Sequence, residues 1–153
     1  MRPLHFRRGQ LHALLRLIED QSAALVQAVY DDLRKPALEA EGELATVKVD
    51  IHETLENLEA WASPDMPSKG ILNLLDTVMV RKDPLGMVLI IGPWNYPLNL
   101  VLVPLVGALA AGNTVVIKVC SPLTKSCILY YFIAIGVGSK HGSSIGSAYS
   151  KVS

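Results

Sequence analysis

From Leu85 to Ile117 the chain runs for 33 residues without a charge. A soluble chain must bury such a stretch, and a membrane protein would place it in the bilayer. Pro93, Pro97 and Pro104 interrupt it, as do Gly92, Gly107 and Gly112 and the polar Asn95, Asn99 and Asn113. Its longest clean apolar piece, Leu100 to Ala111, covers 12 residues and contains Pro104, whereas a spanning helix needs about 20. The pieces read as a buried strand, a loop, a buried helix and a second buried strand. Membrane association stays a minor alternative.

The charges lie elsewhere. All 14 acidic residues of the 153-residue chain fall between Glu19 and Asp83, so residues 84–153 hold none. No carboxylate pair, carboxylate-held metal site or carboxylate–His dyad can come from the C-terminal half alone. The net charge is zero and no Lys/Arg cluster is interleaved with aromatics, which leaves no electrostatic footprint for nucleic acid. The length fits one domain. Two cysteines, Cys120 and Cys127, make no disulfide framework and point to a reducing, cytoplasmic setting. The N-terminus, MRPLHFRRGQ, lacks the apolar core and cleavage site of a signal peptide.

Apolar residues recur at helical spacing through residues 5–34 (Leu11, Leu14, Leu15, Ile18, Leu25, Val26, Val29, Leu33), which predicts one long helix stopped by Pro36. A second helix fits 38–62, with Leu44, Val47, Ile51, Leu55, Leu58 and Ala62 inward. Its acidic residues, Glu39, Glu43, Asp50, Glu53, Glu56 and Glu59, read as a solvated face. Residues 63–70 form a loop by composition, and Thr77 to Lys82 suggest a strand. Met87 to Ile91 has the form of a buried parallel strand. Leu98 to Ala111 forms a buried helix ended by Gly112-Asn113, and Thr114 to Ile117 a β-branched strand. That order is a right-handed βαβ unit in an α/β fold. From Val119 the chain turns polar and Ser-rich around one apolar island, Cys127 to Val137, and reads as a flexible end.

The loop Gly92-Pro93-Trp94-Asn95-Tyr96-Pro97 leaves the carboxyl end of a strand, where open α/β sheets bind ligands. Two prolines stiffen it. Asn95 then has two readings: a donor to an oxygen on which negative charge develops, or a cap for the following helix. Lys118 ends the second strand of the unit and is either a donor to nucleotide hydroxyls or phosphates or a solvated strand end. Neither GxGxxG nor GxxxxGK[ST] occurs.

The stretch RKDPLGMVLIIGPWNYPLNLVLVPLVGALAAGNTVVIK, Arg81 to Lys118, resembles the aldehyde dehydrogenase superfamily, and most closely its class 3 branch, which includes fatty-aldehyde enzymes. The preceding helices and Trp61-Ala62-Ser63-Pro64 resemble the same N-terminus, so the likeness covers nearly all of residues 1–118. It implies the N-terminal helices and first βαβ unit of a Rossmann-like cofactor domain, incomplete here, and oxidation of aldehydes to carboxylic acids with NAD or NADP. By resemblance Asn95 is the side-chain donor of the oxyanion hole. Gly92, Pro93 and Trp94 match the segment beside the nicotinamide ribose, and Lys118 matches the lysine that hydrogen-bonds the adenine ribose or approaches the 2′-phosphate of NADP.

After Lys118 the likeness stops: the family continues Pro-Ser-Glu where this chain has Val119-Cys120-Ser121. Nothing downstream resembles the second glycine-bearing turn, the general-base Glu segment or the nucleophilic Cys segment. Cys120 and Cys127 read as ordinary small apolar residues. The expectation is a truncated family member, through splicing or a shifted frame, with residues 119–153 an unrelated tail. It would not be catalytically competent alone, and it would hold NAD or NADP poorly. An interaction role, docking on full-length subunits or a chaperone, is the rival.

Overall fold

The computed structural model describes residues 2–68, 70 and 76–119. Three helices, α1 (Leu4–Asp20), α2 (Ser22–Leu33) and α3 (Ala37–Ala62), precede a unit of β1 (Met87–Gly92), α4 (Asn99–Ala110) and β2 (Thr114–Val119). The strands pair in parallel, Met87 opposite Thr114 through Gly92 opposite Val119. The expected α/β architecture and βαβ order are therefore present. Val119, the first residue of the proposed tail, closes β2, while Cys120, Cys127, the island Cys127 to Val137 and the rest of the tail lie outside the described residues.

The core joins helices to sheet. Leu11, Leu14 and Ile18 of α1, Leu25 and Val29 of α2, and Leu44, Val47, Ile51 and Leu58 of α3 form one buried cluster with Val101, Leu102, Leu105 and Val106 of α4 and Ile90 of β1. Each such side chain contributes about 1.5–3 kcal/mol by leaving water. α3 packs against α1, α2 and α4, and α4 also packs against both strands.

Three sequence expectations need correction. The stretch 5–34 is two helices, broken at Gln21, whose φ/ψ of −107°/12° is outside the helical well. Ile18 and Leu25 are seven apart, so the periodicity runs through the break undisturbed. Thr77 to Lys82 is not a strand; Val80 makes one antiparallel bridge to Asp65. Val78, Met79 and Val80 are exposed, and among the described residues no further strand pairs with them. The strands of the βαβ unit are buried on one face only. Ile90 is buried, while Met87, Leu89 and Ile91 are exposed, as is Val116 of β2. Helices cover one face of the pair, and a period of two sends alternate residues to the other.

The end of α4 follows the capping expectation in detail. Gly112 takes φ 86°; its N–H donates to the Leu109 carbonyl and that of Asn113 to the Ala108 carbonyl, the paired bonds of a Schellman motif. The Asn113 side-chain oxygen then accepts from the Gly86 N–H, and the Thr114 N–H donates to the Gly86 carbonyl, which ties the helix exit to the start of β1. An alanine Cβ at position 112 would lie 2.8 Å from Arg7 Nε. Gly112→Ala should therefore cost about 1–2 kcal/mol from the left-handed backbone alone, with more from the displaced Arg7; urea unfolding checks this.

Asp50 on α3 has its carboxyl held above the usual aspartate range, first by burial and then by the neighbouring Glu53 charge. Because the folded form is the better proton binder, ionised Asp50 lowers stability at neutral pH, and the penalty fades as pH falls into the ordinary aspartate range. Asp50→Asn should raise the melting temperature at pH 7 and leave it unchanged where both states are protonated. Paired thermal melts of parent and variant at the two pH values read this directly.

Candidate functional site

The site is built around a helix that has no charge of its own. α4 reads NLVLVPLVGALA and still leaves unpaired N–H groups at its start and carbonyls at its end. Both ends are satisfied from the N-terminal helices. At the start, Oε2 of Glu43 accepts the Leu98 and Asn99 N–H groups at 3.0 Å each. At the end, Arg7 Nη1 donates to the Ala110 carbonyl at 3.1 Å, while its Nε donates to the Arg2 carbonyl. Glu43 is 4% and Arg7 5% exposed. The signs suit the helix dipole, with an anion at its positive end and a cation at its negative end.

Glu43 is thus no member of a solvated face, which corrects the sequence reading. Glu39, Glu53, Glu56 and Glu59 are exposed as expected. The sequence signal for Glu43 was weak but present: it directly precedes the core residue Leu44 and lies four before Val47, on the buried side of α3.

The other oxygen of Glu43 holds Lys35, at 2.6 Å from Nζ to Oε1. Lys35 also donates to the Asn95 carbonyl at 2.9 Å, and its ammonium stands 3.9 Å from the centre of the Tyr96 ring. It reaches this position through an unusual turn. Arg34, at the C-terminus of α2, has φ 56°, bonds its N–H to the Tyr30 carbonyl and lays its guanidinium over the Tyr30 ring. Such a left-handed residue costs about 1–2 kcal/mol without a glycine, and it places Lys35 between α2 and α3.

These contacts fix the loop that carries the sequence-derived residues. Gly92 closes β1 and is buried; a Cβ there would run into the Val101 side chain, so only glycine lets α4 pack this closely on the strand. Pro93, Trp94 and Asn95 are exposed at the carboxyl end of β1. Lys118 pairs in register with Ile91 and is exposed at the same end of the sheet. The structure therefore brings Gly92, Pro93, Trp94, Asn95 and Lys118 to one edge. The capping alternative for Asn95 fails: α4 has no side-chain cap bond at its N-cap, since Glu43 takes that role. Among the described residues the Asn95 side-chain amide has no hydrogen-bond partner, and only its carbonyl is engaged.

A nicotinamide dinucleotide can be tested against this edge. The exposed Lys118 ammonium suits ribose hydroxyls or phosphate oxygens, and the exposed Pro93 and Trp94 offer a flat apolar wall. The start of α4 does not suit a phosphate, because its amides already hold a carboxylate and an anion there would meet a second negative charge. A cavity of about 250 Å³, lined by Arg7, Thr54, Leu58, Trp61, Lys82 and Gly107 among others, opens at the opposite end of α4. The loop chemistry is not there. Among the described residues no group of three His, Cys, Asp or Glu could hold a metal, and no helix is long and apolar enough to cross a membrane.

A model of the aldehyde dehydrogenase family matches residues 2–138. The human protein called aldehyde dehydrogenase family 3 member B1 is 48% identical over 118 residues, which are 76% of this chain and 25% of that protein. The chain thus spans about a quarter of the length of the curated relatives it matches. Among solved structures, a substrate-bound Staphylococcus aureus AldH overlays with a TM-score of 0.83 at 30% identity, covering 86% of this chain and 29% of that one. The NADP complex of NADP-dependent glyceraldehyde-3-phosphate dehydrogenase from Bacillus halodurans overlays at 0.75 with 28% identity, covering 95% and 33%.

Removing the Glu43 carboxylate orphans two amides and leaves the Lys35 charge, 10% exposed, without its anion. Glu43→Ala should destabilise the chain by about 3–5 kcal/mol, whereas Glu39→Ala, on the exposed side of the same helix, should stay within about 0.5 kcal/mol. Chemical denaturation of the two variants side by side makes the comparison.

Proposed function

The chain belongs to the aldehyde dehydrogenase family, and on that premise we propose that its Gly92–Pro97 loop forms one wall of a site for NAD(P)-dependent oxidation of an aldehyde to a carboxylic acid. Asn95 donates its side-chain N–H to the carbonyl oxygen of the aldehyde as that oxygen gains negative charge. A donor already fixed in place costs no reorganisation when charge develops, which is why such groups lower barriers. The observation that carries this reading is an amide side chain that is exposed and uncommitted while its own backbone carbonyl is tied down. A nicotinamide dinucleotide held at this edge would supply the hydride acceptor. Pro93 and Trp94 would form the wall beside its nicotinamide ribose, and Lys118 would donate to the adenine ribose or to the 2′-phosphate of NADP.

The same residues set a limit. Cys120 and Cys127 lack the residues that flank the family's nucleophile, and residues 84–153 contain no Asp or Glu, so on this reading the oxyanion donor has no thiol step of its own to assist. The 153-residue chain by itself holds the cofactor weakly and does not turn over. A second reading, association with another polypeptide, is supported by the exposed apolar face of Met87, Leu89, Ile91 and Val116; an uncovered sheet face of this kind favours burial against a partner.

Two measurements test the proposal. The purified 153-residue chain should produce no aldehyde-dependent NADH or NADPH above a blank, and turnover near that of complete relatives would overturn the limit. Residues 1–118 joined to the remaining three-quarters of the human family 3 member B1 should give an active enzyme in which Asn95→Ala lowers kcat about a hundred- to a thousand-fold with smaller change in KM. An unchanged kcat in that variant would remove Asn95 from the chemistry.

A further inference from the structure

We propose that Lys35 is a positioning residue for Asn95, holding the Gly92–Pro97 loop through its backbone so that the amide side chain stays free to donate. The inference rests on the reading of Asn95 as an oxyanion donor and adds the device that keeps it aimed.

Lys35 meets three groups at once. Its Nζ is 2.6 Å from Glu43 Oε1, 2.9 Å from the Asn95 carbonyl oxygen and 3.9 Å from the centre of the Tyr96 ring. The carbonyl of Asn95 and the ring of Tyr96 flank the same peptide unit, so one ammonium fixes the plane of the peptide that follows Asn95. A mobile lysine would do this poorly. Here the side chain is 10% exposed and its charge is balanced by a carboxylate that is 2% exposed, so the pair is screened little by solvent.

Glu43 extends the clamp to the far side of the loop. Its second oxygen accepts the Leu98 and Asn99 amides. One carboxylate thereby ties Lys35 and the loop's downstream end to the same point on α3. The upstream end is fixed by Gly92, which lies in the sheet ladder opposite Val119 and against Val101. Asn95 lies between these anchors, and none of them uses its side chain.

Hydrogen exchange of the 153-residue chain, followed by amide-resolved NMR, tests the clamp. In the parent, the Leu98 and Asn99 amides, held by Glu43, should exchange more slowly than in an unstructured peptide. Lys35→Met should speed exchange of the Leu98 and Asn99 amides about tenfold or more, as expected when the carboxylate that holds them loses its charge partner, while amides at Leu14 and Ile51 keep their rates. Lys35→Arg, which can still pair with Glu43, donate to the carbonyl and stack on Tyr96, should restore the loop to within about threefold of the parent. Asn95→Ala should leave loop exchange unchanged, because Lys35 grips the backbone. Failure of the oxyanion reading would show only in the activity of the joined enzyme, so the two outcomes are separable. The proposal is overturned if the parent Leu98 and Asn99 amides are unprotected or Lys35→Met leaves their exchange unaltered. It is equally overturned if exchange rises throughout the chain in both Lys35→Met and Lys35→Arg.

Discussion

An apolar helix cannot satisfy its own ends, and this constraint organises the described part of the molecule. α4 carries no charged side chain, packs against helices on one side and strands on the other, and still presents unpaired amides and carbonyls at its termini. Water would be the ordinary partner, but burial of Leu98, Val101 and Leu102 limits it at the N-terminal end. The chain supplies Glu43 and Arg7 instead. Each is a buried charge that would be costly without partners, and each finds them in the backbone of the same helix. The uncharged span and the charged N-terminal helices are two halves of one electrostatic arrangement.

This arrangement also bears on ligand binding. In many βαβ units the start of the crossover helix receives a phosphate. Here the position is occupied from within by a carboxylate. The missing glycine-rich phosphate signatures in the sequence agree with that geometry: the loop before α4 is stiffened by two prolines and anchored by a lysine, and it has no run of glycines to wrap a pyrophosphate. Exposed groups, among them Trp94, Asn95 and Lys118, are left at the strand ends and along the loop.

Much of this was legible in the sequence, for physical reasons that differ by element. α3 was readable because its apolar stripe keeps one helical period from Ala40 to Leu58, about five turns, and the βαβ unit because two short apolar runs flank an apolar segment ended by Gly112-Asn113. The break at Gln21 was hidden, since a seven-residue step from Ile18 to Leu25 looks the same in one helix or two. The roles of Arg7, Lys35 and Glu43 were also hidden. Their partners are backbone groups 103, 60 and 55 residues away, and a carbonyl or amide looks alike at every position of a sequence. Asn95 could be singled out from its loop, but only the position of Glu43 removed the capping alternative.

The long reach of these contacts has a consequence for the order in which the chain becomes structured. A 12-residue helix with a proline inside it is marginal by itself. During synthesis Arg7, Lys35 and Glu43 leave the ribosome before any residue of α4, and the helices around them share a core in the folded chain through Leu11, Ile18, Leu44 and Ile51. The charges that complete α4 are therefore already synthesised when it emerges, and its two ends meet opposite signs on different helices, Glu43 of α3 at the start and Arg7 of α1 at the end.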